Sequence, residues 1–240
     1  MYSIETKSLT KKYKDKTVVS NLNLKIKEGE LFSLLGTNGA GKTTTIKMLS
    51  SLIVPTEGDI IIDKFDMKKN KQKIKEIINI SPQITSLAPN LTVRENLEFI
   101  AGAYQIKNKE QKIKELVDMF DLSKIMDQKA KTLSGGWQRK LSIAMSLIND
   151  PKILFLDEPT LGLDVISRKE LWKIIESKKG KMTIILTTHY MEEAEHLSDK
   201  IGIIVDGILL DEDTPKALKE KTKTNTLEDA FVKIATGGKI

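Results

Sequence analysis

The sequence predicts an α/β fold, a parallel-rich sheet covered on both faces with a block of helices inserted into it. Three observations carry the prediction. Apolar segments at Leu31–Leu35, Ile153–Leu156, Thr183–Leu186 and Gly202–Val205 read as buried strands, and helical stretches at about 165–178 and 191–197 separate the last three. Unbroken apolar strands alternating with helices are the mark of a parallel sheet packed on both sides. A glycine-rich run, Gly36 to Thr44, joins the first strand to a helix. Between Ser86 and Ala130 the strand pattern gives way to a helical one.

The elements follow in order. Residues 1–30 read as short strands with turns, ending in the alternating Lys25–Glu30 segment that turns at Gly29 into Leu31–Leu35. Residues 46–53 read as helix, stopped by Pro55 and Gly58. Asp59–Asp63 is a strand, 70–78 a short helix, and Ile78–Ile80 a strand. Thr92, with Glu95 three residues on, has the form of a capping box. From Glu110 to Phe120 the apolar positions Ile113, Leu116, Val117 and Phe120 keep helical spacing. Ser134 reads as the N-cap of a helix continued by Leu141, Ala144, Met145 and Ile148, and Thr226 as the cap of a helix over Leu227–Ala235. Trp172 reads as packed helix surface.

The 240 residues fit one large domain or a domain with a subdomain. No apolar run approaches the length of a membrane span, and Met1–Glu5 has no signal-peptide core. The absence of cysteine excludes disulfides and thiolate metal sites, and these features together favour the cytoplasm. Net charge is +6, most of the excess being lysine in runs such as Lys68–Lys73, which read as a solvated face. No aromatic interleaves with that run, so no stacking platform for nucleic acid is expected.

Two stretches carry phosphate chemistry. Gly36-Thr37-Asn38-Gly39-Ala40-Gly41-Lys42-Thr43-Thr44 has the P-loop form G-x-x-x-x-G-K-[ST], placed between strand and helix. Glycines let successive N–H groups turn inward toward phosphate oxygens, and the helix N-terminus adds its positive dipole end. Lys42 would reach the β/γ-phosphates and the Thr43 hydroxyl would ligate Mg²⁺. In a P-loop fold, the apolar strand ending in Asp157-Glu158 supplies a carboxylate for Mg²⁺ and a second that can take a proton from water. Ser134-Gly135-Gly136 ahead of a helix offers a hydroxyl and bare N–H groups, a second anion site. One P-loop already holds one nucleotide, so a second clamp points to a nucleotide shared between two copies.

Taken together, these motifs resemble those of the nucleotide-binding subunit of ATP-binding cassette (ABC) transporters, over essentially the whole chain and in the same order. The resemblance implies a P-loop NTPase core with an N-terminal antiparallel β subdomain (1–85 and 150–215), a helical subdomain carrying the signature motif (86–149) and a short helical tail (216–240). It makes Tyr13 the aromatic that stacks on adenine, Gly36 to Thr44 the Walker A loop, and Gln83 the Q-loop glutamine that contacts Mg²⁺ and the attacking water. Leu133 to Gln138 matches the signature, whose Ser134, Gly135 and Gly136 act on the partner's ATP; Trp137 stands where glutamine is commonest. Asp157 and Glu158 match Walker B and the catalytic glutamate, Asp164 ends the D-loop, and His189 matches the switch histidine that contacts the γ-phosphate. The expected catalytic set is therefore Glu158, His189, Gln83 and Lys42, with Thr43, Gln83 and Asp157 toward Mg²⁺ and ATP as the nucleotide.

The resemblance further implies a homodimer or heterodimer of ATPase subunits, and a transmembrane permease subunit docking near Gln83 and the helical subdomain at the cytoplasmic face of the membrane. Within the family the loop, Thr187–Glu195 and the Thr226–Phe231 tail look like bacterial drug, antibiotic or lipid exporters. The alternative is a soluble ABC ATPase acting on nucleic acid or the ribosome without a membrane partner.

Overall fold

A computed structural model describes residues 1–237. The chain begins with three strands, β1 (Tyr2–Tyr13), β2 (Lys16–Leu22) and β3 (Lys25–Lys27), and then β4 (Leu31–Leu35), which runs through a loop into α1 (Lys42–Leu49). Next come β5 (Glu57–Ile62), β6 (Phe65–Asp66), α2 (Lys71–Ile77) and β7 (Ile78–Ser81). Three longer helices follow, α3 (Val93–Ala103), α4 (Lys109–Phe120) and α5 (Gly135–Ser146). Strands resume with β8 (Ile153–Asp157), α6 (Val165–Glu176), β9 (Thr183–Thr188), α7 (Met191–Leu197), β10 (Lys200–Val205) and β11 (Ile208–Asp213), and the chain ends in α8 (Pro215–Thr222) and α9 (Leu227–Thr236).

Two sheets result. The first runs β2-β1-β5-β6, with β3 also on β1, and every pairing in it is antiparallel. The second runs β11-β10-β4-β9-β8-β7; β10 through β7 are parallel and β11 is antiparallel at the edge. β4, β8 and β9 are buried at every residue, which is why their sequences are apolar without alternation. Successive side chains still alternate between faces. Ile153 and Phe155 join Phe32, Leu34 and Ile185 in a core shared with α1 and the antiparallel sheet. Leu154 and Leu156 join Leu31, Ile184 and Leu186 in a second core under α3 to α6. Truncating a fully buried residue such as Phe155 to Ala would cost about 3–5 kcal/mol.

Several expectations are corrected. The first helix stops at Leu49, not at residue 53, because Ser51 takes a left-handed conformation (φ 60°) and Leu52 N–H turns back to the Lys47 carbonyl. The N-terminal region holds one twelve-residue strand with irregular register against β2, β3 and β5, where only short strands were expected. β11 was not expected; it is a half-exposed edge whose acidic end masks its strand character. Trp172 is buried (4% exposed), not on a surface. The capping box at Thr92 and Glu95 is formed, and Thr226 caps α9. The last three residues of the 216–240 tail lie outside the described residues.

Candidate active site

The strand order sets the site. Register pairs Leu35 with Thr188 and Asp157 with Thr187, so the carboxyl ends of β4, β9 and β8 lie side by side. Gly36, His189 and Glu158 therefore emerge together, at the end of a parallel sheet where such folds bind ligands. The loop from Gly36 to Gly41 is wrapped tightly. A Cβ on Gly36 would sit 2.3 Å from the Ile204 carbonyl oxygen, and one on Gly41 (φ 98°) 2.6 Å from that of Val18. Only glycine allows the chain through both gaps.

The loop curls around a cleft of about 310 Å³ lined by Asn38 to Thr44 with Val18, Gln83 and Glu158. That volume sits at the low end of the range for ligand sites, about 300–1,000 Å³, and matches a phosphate chain better than an enclosed nucleotide. A larger groove of about 610 Å³ on the antiparallel sheet is lined by mixed charges including Glu5, Lys7, Lys25 and Asp59, and lies away from these strand ends. The chemistry converges on the smaller cleft.

Lys42 begins α1, and its ammonium folds back to donate to the carbonyls of Gly36 (2.7 Å) and Thr37 (3.0 Å). It lies 3.5 Å from Glu158 Oε1. Burial holds its pKa below the usual lysine range, with Glu158 opposing the shift. Asp157 Oδ1 accepts from the Thr187 hydroxyl (2.5 Å) and the Thr43 hydroxyl (3.1 Å). A hydroxyl and a carboxylate of this kind are hard oxygen donors suited to Mg²⁺. No cluster of three metal-ligating side chains exists among the described residues. A cation at Thr43 and Asp157 would thus complete its shell with phosphate oxygens and water, as Mg²⁺ does.

Glu158 is held in the left-handed region (φ 48°), an unusual conformation for a non-glycine residue and one that collects at functional sites. Its N–H donates to the Thr187 carbonyl (3.1 Å) and to the Thr187 hydroxyl (3.0 Å). Oε2 lies 3.0 Å from His189 Nδ1, but the two are misaligned and Nδ1 makes no hydrogen bond. A buried carboxylate thus stands between a lysine and an imidazole at the mouth of the loop.

The remaining predicted residues lie elsewhere. Ser134 occupies the N-cap position of α5, yet its hydroxyl makes no capping bond and stays free and exposed. A Cβ on Gly135 meets nothing within 4 Å, and on Gly136 nothing closer than Ser167 Oγ at 3.7 Å. The fold gives no reason for two glycines there. Asp164 caps α6 through the Ile166 and Ser167 N–H groups. Beside it Leu161, Val165 and Ile166 are exposed. Neither Ser134–Gly136 nor Asp164 lines the cleft. Tyr13 ends β1, nearly half exposed, under Lys11 Nζ at 5.0 Å, and is likewise outside the cleft lining. Trp137 folds back along α5 beneath Lys140 Nζ (4.5 Å from the ring) and packs on the helical core.

Three residues of the surroundings went unmarked in the sequence. Thr187 bridges Asp157 and Glu158, and its only signal was a polar residue in an apolar strand. Glu193, fully buried on α7, accepts from the Thr160 hydroxyl (2.7 Å) and Trp172 Nε1 (3.1 Å). Arg139 is buried on α5, and its signal was one of only three arginines in a lysine-rich chain.

Comparison with known proteins agrees with this geometry. Residues 19–161 match the family described as ABC transporter. A probable multidrug ABC transporter ATP-binding protein of Escherichia coli is 40% identical over 239 residues, 96% of this chain and 41% of that protein. The chain thus spans about two fifths of that relative's length. A Nod factor export ATP-binding protein I of Burkholderia orbicola is 39% identical over 221 residues, 90% of this chain and 72% of that one. Among solved structures, an ATP-binding subunit of an ABC transporter superposes with TM-score 0.87 at 27% identity, covering 96% of this chain and 98% of that one. An ATP-binding cassette solved as a dimer in a post-hydrolysis state with ADP and Pi gives 0.81 at 28% identity, covering 88% and 98%. The chain belongs to the ABC transporter family.

Proposed function

We propose that this chain, as a member of that family, binds and hydrolyses ATP at a site completed by a second ABC ATPase subunit, and that the resulting closing and opening drives a membrane exporter. One observation carries the reading. A complete cleft-side constellation (Lys42, Glu158, His189) stands apart from an outward-facing Ser134-Gly135-Gly136 whose glycines the fold itself does not need. Bare positions at a helix N-terminus suit close approach by a phosphate chain held on another subunit.

In this reading the loop N–H groups and Lys42 offset charge on the transferring phosphoryl group. Glu158 takes a proton from the attacking water, and His189, whose Nδ1 has no competing bond, fixes the γ-phosphate. Tyr13 stacks on the adenine. Thr43, Gln83 and Asp157 hold Mg²⁺, which when bound neutralises phosphate charge. Ser134, Gly135 and Gly136 of one subunit, with Asp164 nearby, close over the other's nucleotide. The 86–149 helical block and Gln83 form the docking face for a transmembrane permease subunit, and the chain sits at the cytoplasmic face of the membrane. Export rather than import is favoured by the relatives named for multidrug transport and Nod factor export. No helix among the described residues is long and apolar enough to cross a membrane.

The test is native mass with and without Mg-ATP for Glu158→Gln beside the parent. Slowed hydrolysis should trap a dimer that disappears when Ser134→Arg is added. A variant that binds ATP yet stays monomeric at high concentration would count against pairing of identical chains.

A further inference from the structure

Arg139 takes no part in the roles above. It is 4% exposed, and its guanidinium bonds to backbone carbonyls from two separate segments, 82–83 and 157–159. Nε donates to Pro159 O (2.8 Å), Nη2 to Asp157 O (2.7 Å), and Nη1 to Pro82 O (2.5 Å) and, at 3.4 Å, to Gln83 O. Among the described residues no carboxylate lies within ion-pair distance of it. Burial lowers its pKa to about 10, with Asp157, Glu193 and Glu158 opposing the shift, so it stays charged at neutral pH.

A position that needed only filling would be better served by an apolar side chain, because a buried charge is costly. The guanidinium offers something else, five donors in a fixed plane. α5 otherwise rests on the parallel sheet mainly through apolar contacts, which are non-directional and tolerate sliding. Among the described residues one other polar tie to the parallel sheet exists at its inner face, the hydrogen bond between the Ser81 and Ser142 hydroxyls (3.0 Å). The Arg139 fork is thus the main directional link between α5 and the chain around Asp157 and Gln83.

We propose that Arg139 is a positioning residue that sets the angle of α5 from the state of the cleft, so that Ser134–Gly136 is presented to a partner's nucleotide only when the Gln83 segment, the end of β8 and Pro159 are in register. The inference rests on the shared-site reading. Movement of the Gln83 backbone on nucleotide binding passes through Nη1 to α5, one turn from the two glycines. Pro159 begins the segment leading to Asp164, so the same side chain also ties the D-loop to the signature helix.

The test compares Arg139→Lys with Arg139→Met in the full chain. Lysine keeps the charge but loses the fork. Methionine fills the space without charge but leaves the carbonyls of Pro82, Asp157 and Pro159 without that donor, so its Tm is measured first, and lysine, which can still donate, is the variant that decides if methionine does not fold. Both variants should bind Mg-ATP as monomers within about twofold of the parent while kcat falls about tenfold or more with KM little changed. In the Glu158→Gln background, ATP-driven dimers should weaken about tenfold or more. Because the chain has no cysteine, labels at Lys7→Cys on β1 and Lys114→Cys on α4, which shares a core with α5, report the tilt of the helical block that carries α5. Their distance distribution should be narrow and nucleotide-dependent in the parent and broad in both variants. A folded variant with parental kcat, dimer affinity and label distances overturns the proposal. So does loss of monomer ATP binding in step with kcat, which would make Arg139 a support of its own cleft. A parent that neither hydrolyses nor pairs in Mg-ATP overturns the shared-site reading instead.

Discussion

Replacing Thr187 with valine removes one hydroxyl and almost no volume, at the point where the Asp157 and Glu158 carboxylates of the candidate site are aligned. That hydroxyl donates to Asp157 Oδ1 at 2.5 Å and accepts from the Glu158 N–H at 3.0 Å. The N–H keeps a second acceptor, the Thr187 carbonyl at 3.1 Å, so nothing on the backbone is orphaned. Asp157 keeps only the Thr43 hydroxyl at 3.1 Å. A hydrogen bond to a charged group is worth about 1.5–3 kcal/mol, and the added methyl returns about 0.8 kcal/mol by burial. The net loss is therefore about 1–2 kcal/mol, or about 2–8 °C in Tm for a domain of this size. The kinetic effect is larger than that stability loss would produce in a folded enzyme. Asp157 is free to turn, and the metal and the Glu158 carboxylate lose their common anchor, so kcat should fall about tenfold, or 1.4 kcal/mol, with a higher Mg²⁺ requirement. Steady-state ATPase assays across a Mg²⁺ titration, beside Thr187→Ser, decide the matter. Serine keeps the hydroxyl and should hold kcat within about threefold of the parent, less than 1 kcal/mol. Parental kcat and Mg²⁺ dependence in the valine variant, or equal damage from serine, would refute the reasoning.

Gly136→Ala should separate stability from function. Glycine in a helix costs about 0.5–1 kcal/mol relative to alanine, and the new methyl meets only ordinary contacts. Melting temperature should hold or rise while Mg-ATP turnover falls about tenfold or more; a fall in Tm with turnover intact would mean the glycine serves the fold. Glu193→Gln tests a buried charge. Burial raises the Glu193 pKa, so the folded state keeps this proton to higher pH than the unfolded chain does. Its stabilising contribution is full below the unfolded value and is lost as pH rises through the folded one. Glutamine keeps the acceptor for Thr160 and Trp172 without the charge, so the variant's Tm advantage should grow from about pH 5 to about pH 8; a difference independent of pH over that range would show that Glu193 carries no such penalty. Phe155→Ala, which leaves the cleft side chains in place but opens the core beneath them, should cost about 3–5 kcal/mol in denaturant unfolding.

What could be read from the sequence follows from how local each interaction is. The P-loop was legible because its strand, glycines and lysine are contiguous, and the gaps at Gly36 and Gly41 are met by glycine whatever surrounds them. Thr92 and Thr226 were legible for the same reason, since each cap closes within three residues. Boundaries failed where a single backbone conformation decides them, as at Ser51, whose φ of 60° no composition signals. β11 failed because an edge strand with one buried neighbour needs no apolar run. The individual side chains Lys42, Asp157, Glu158 and His189 could be named from their motifs, but not the wiring between them. Thr187 joins Asp157 across thirty positions, Thr160 joins Glu193 across thirty-three, and Arg139 reaches Pro82 across fifty-seven. These partners meet only because the strand order sets β8 beside β9 and brings α5 against both β7 and the end of β8. The residues proposed to perform chemistry are thus written locally, whereas those that set the geometry between them are written in the topology. Polar residues at the ends of buried strands and helices, such as Thr187, Arg139 and Glu193, are where the proposed coupling between nucleotide and neighbouring subunit should be sought.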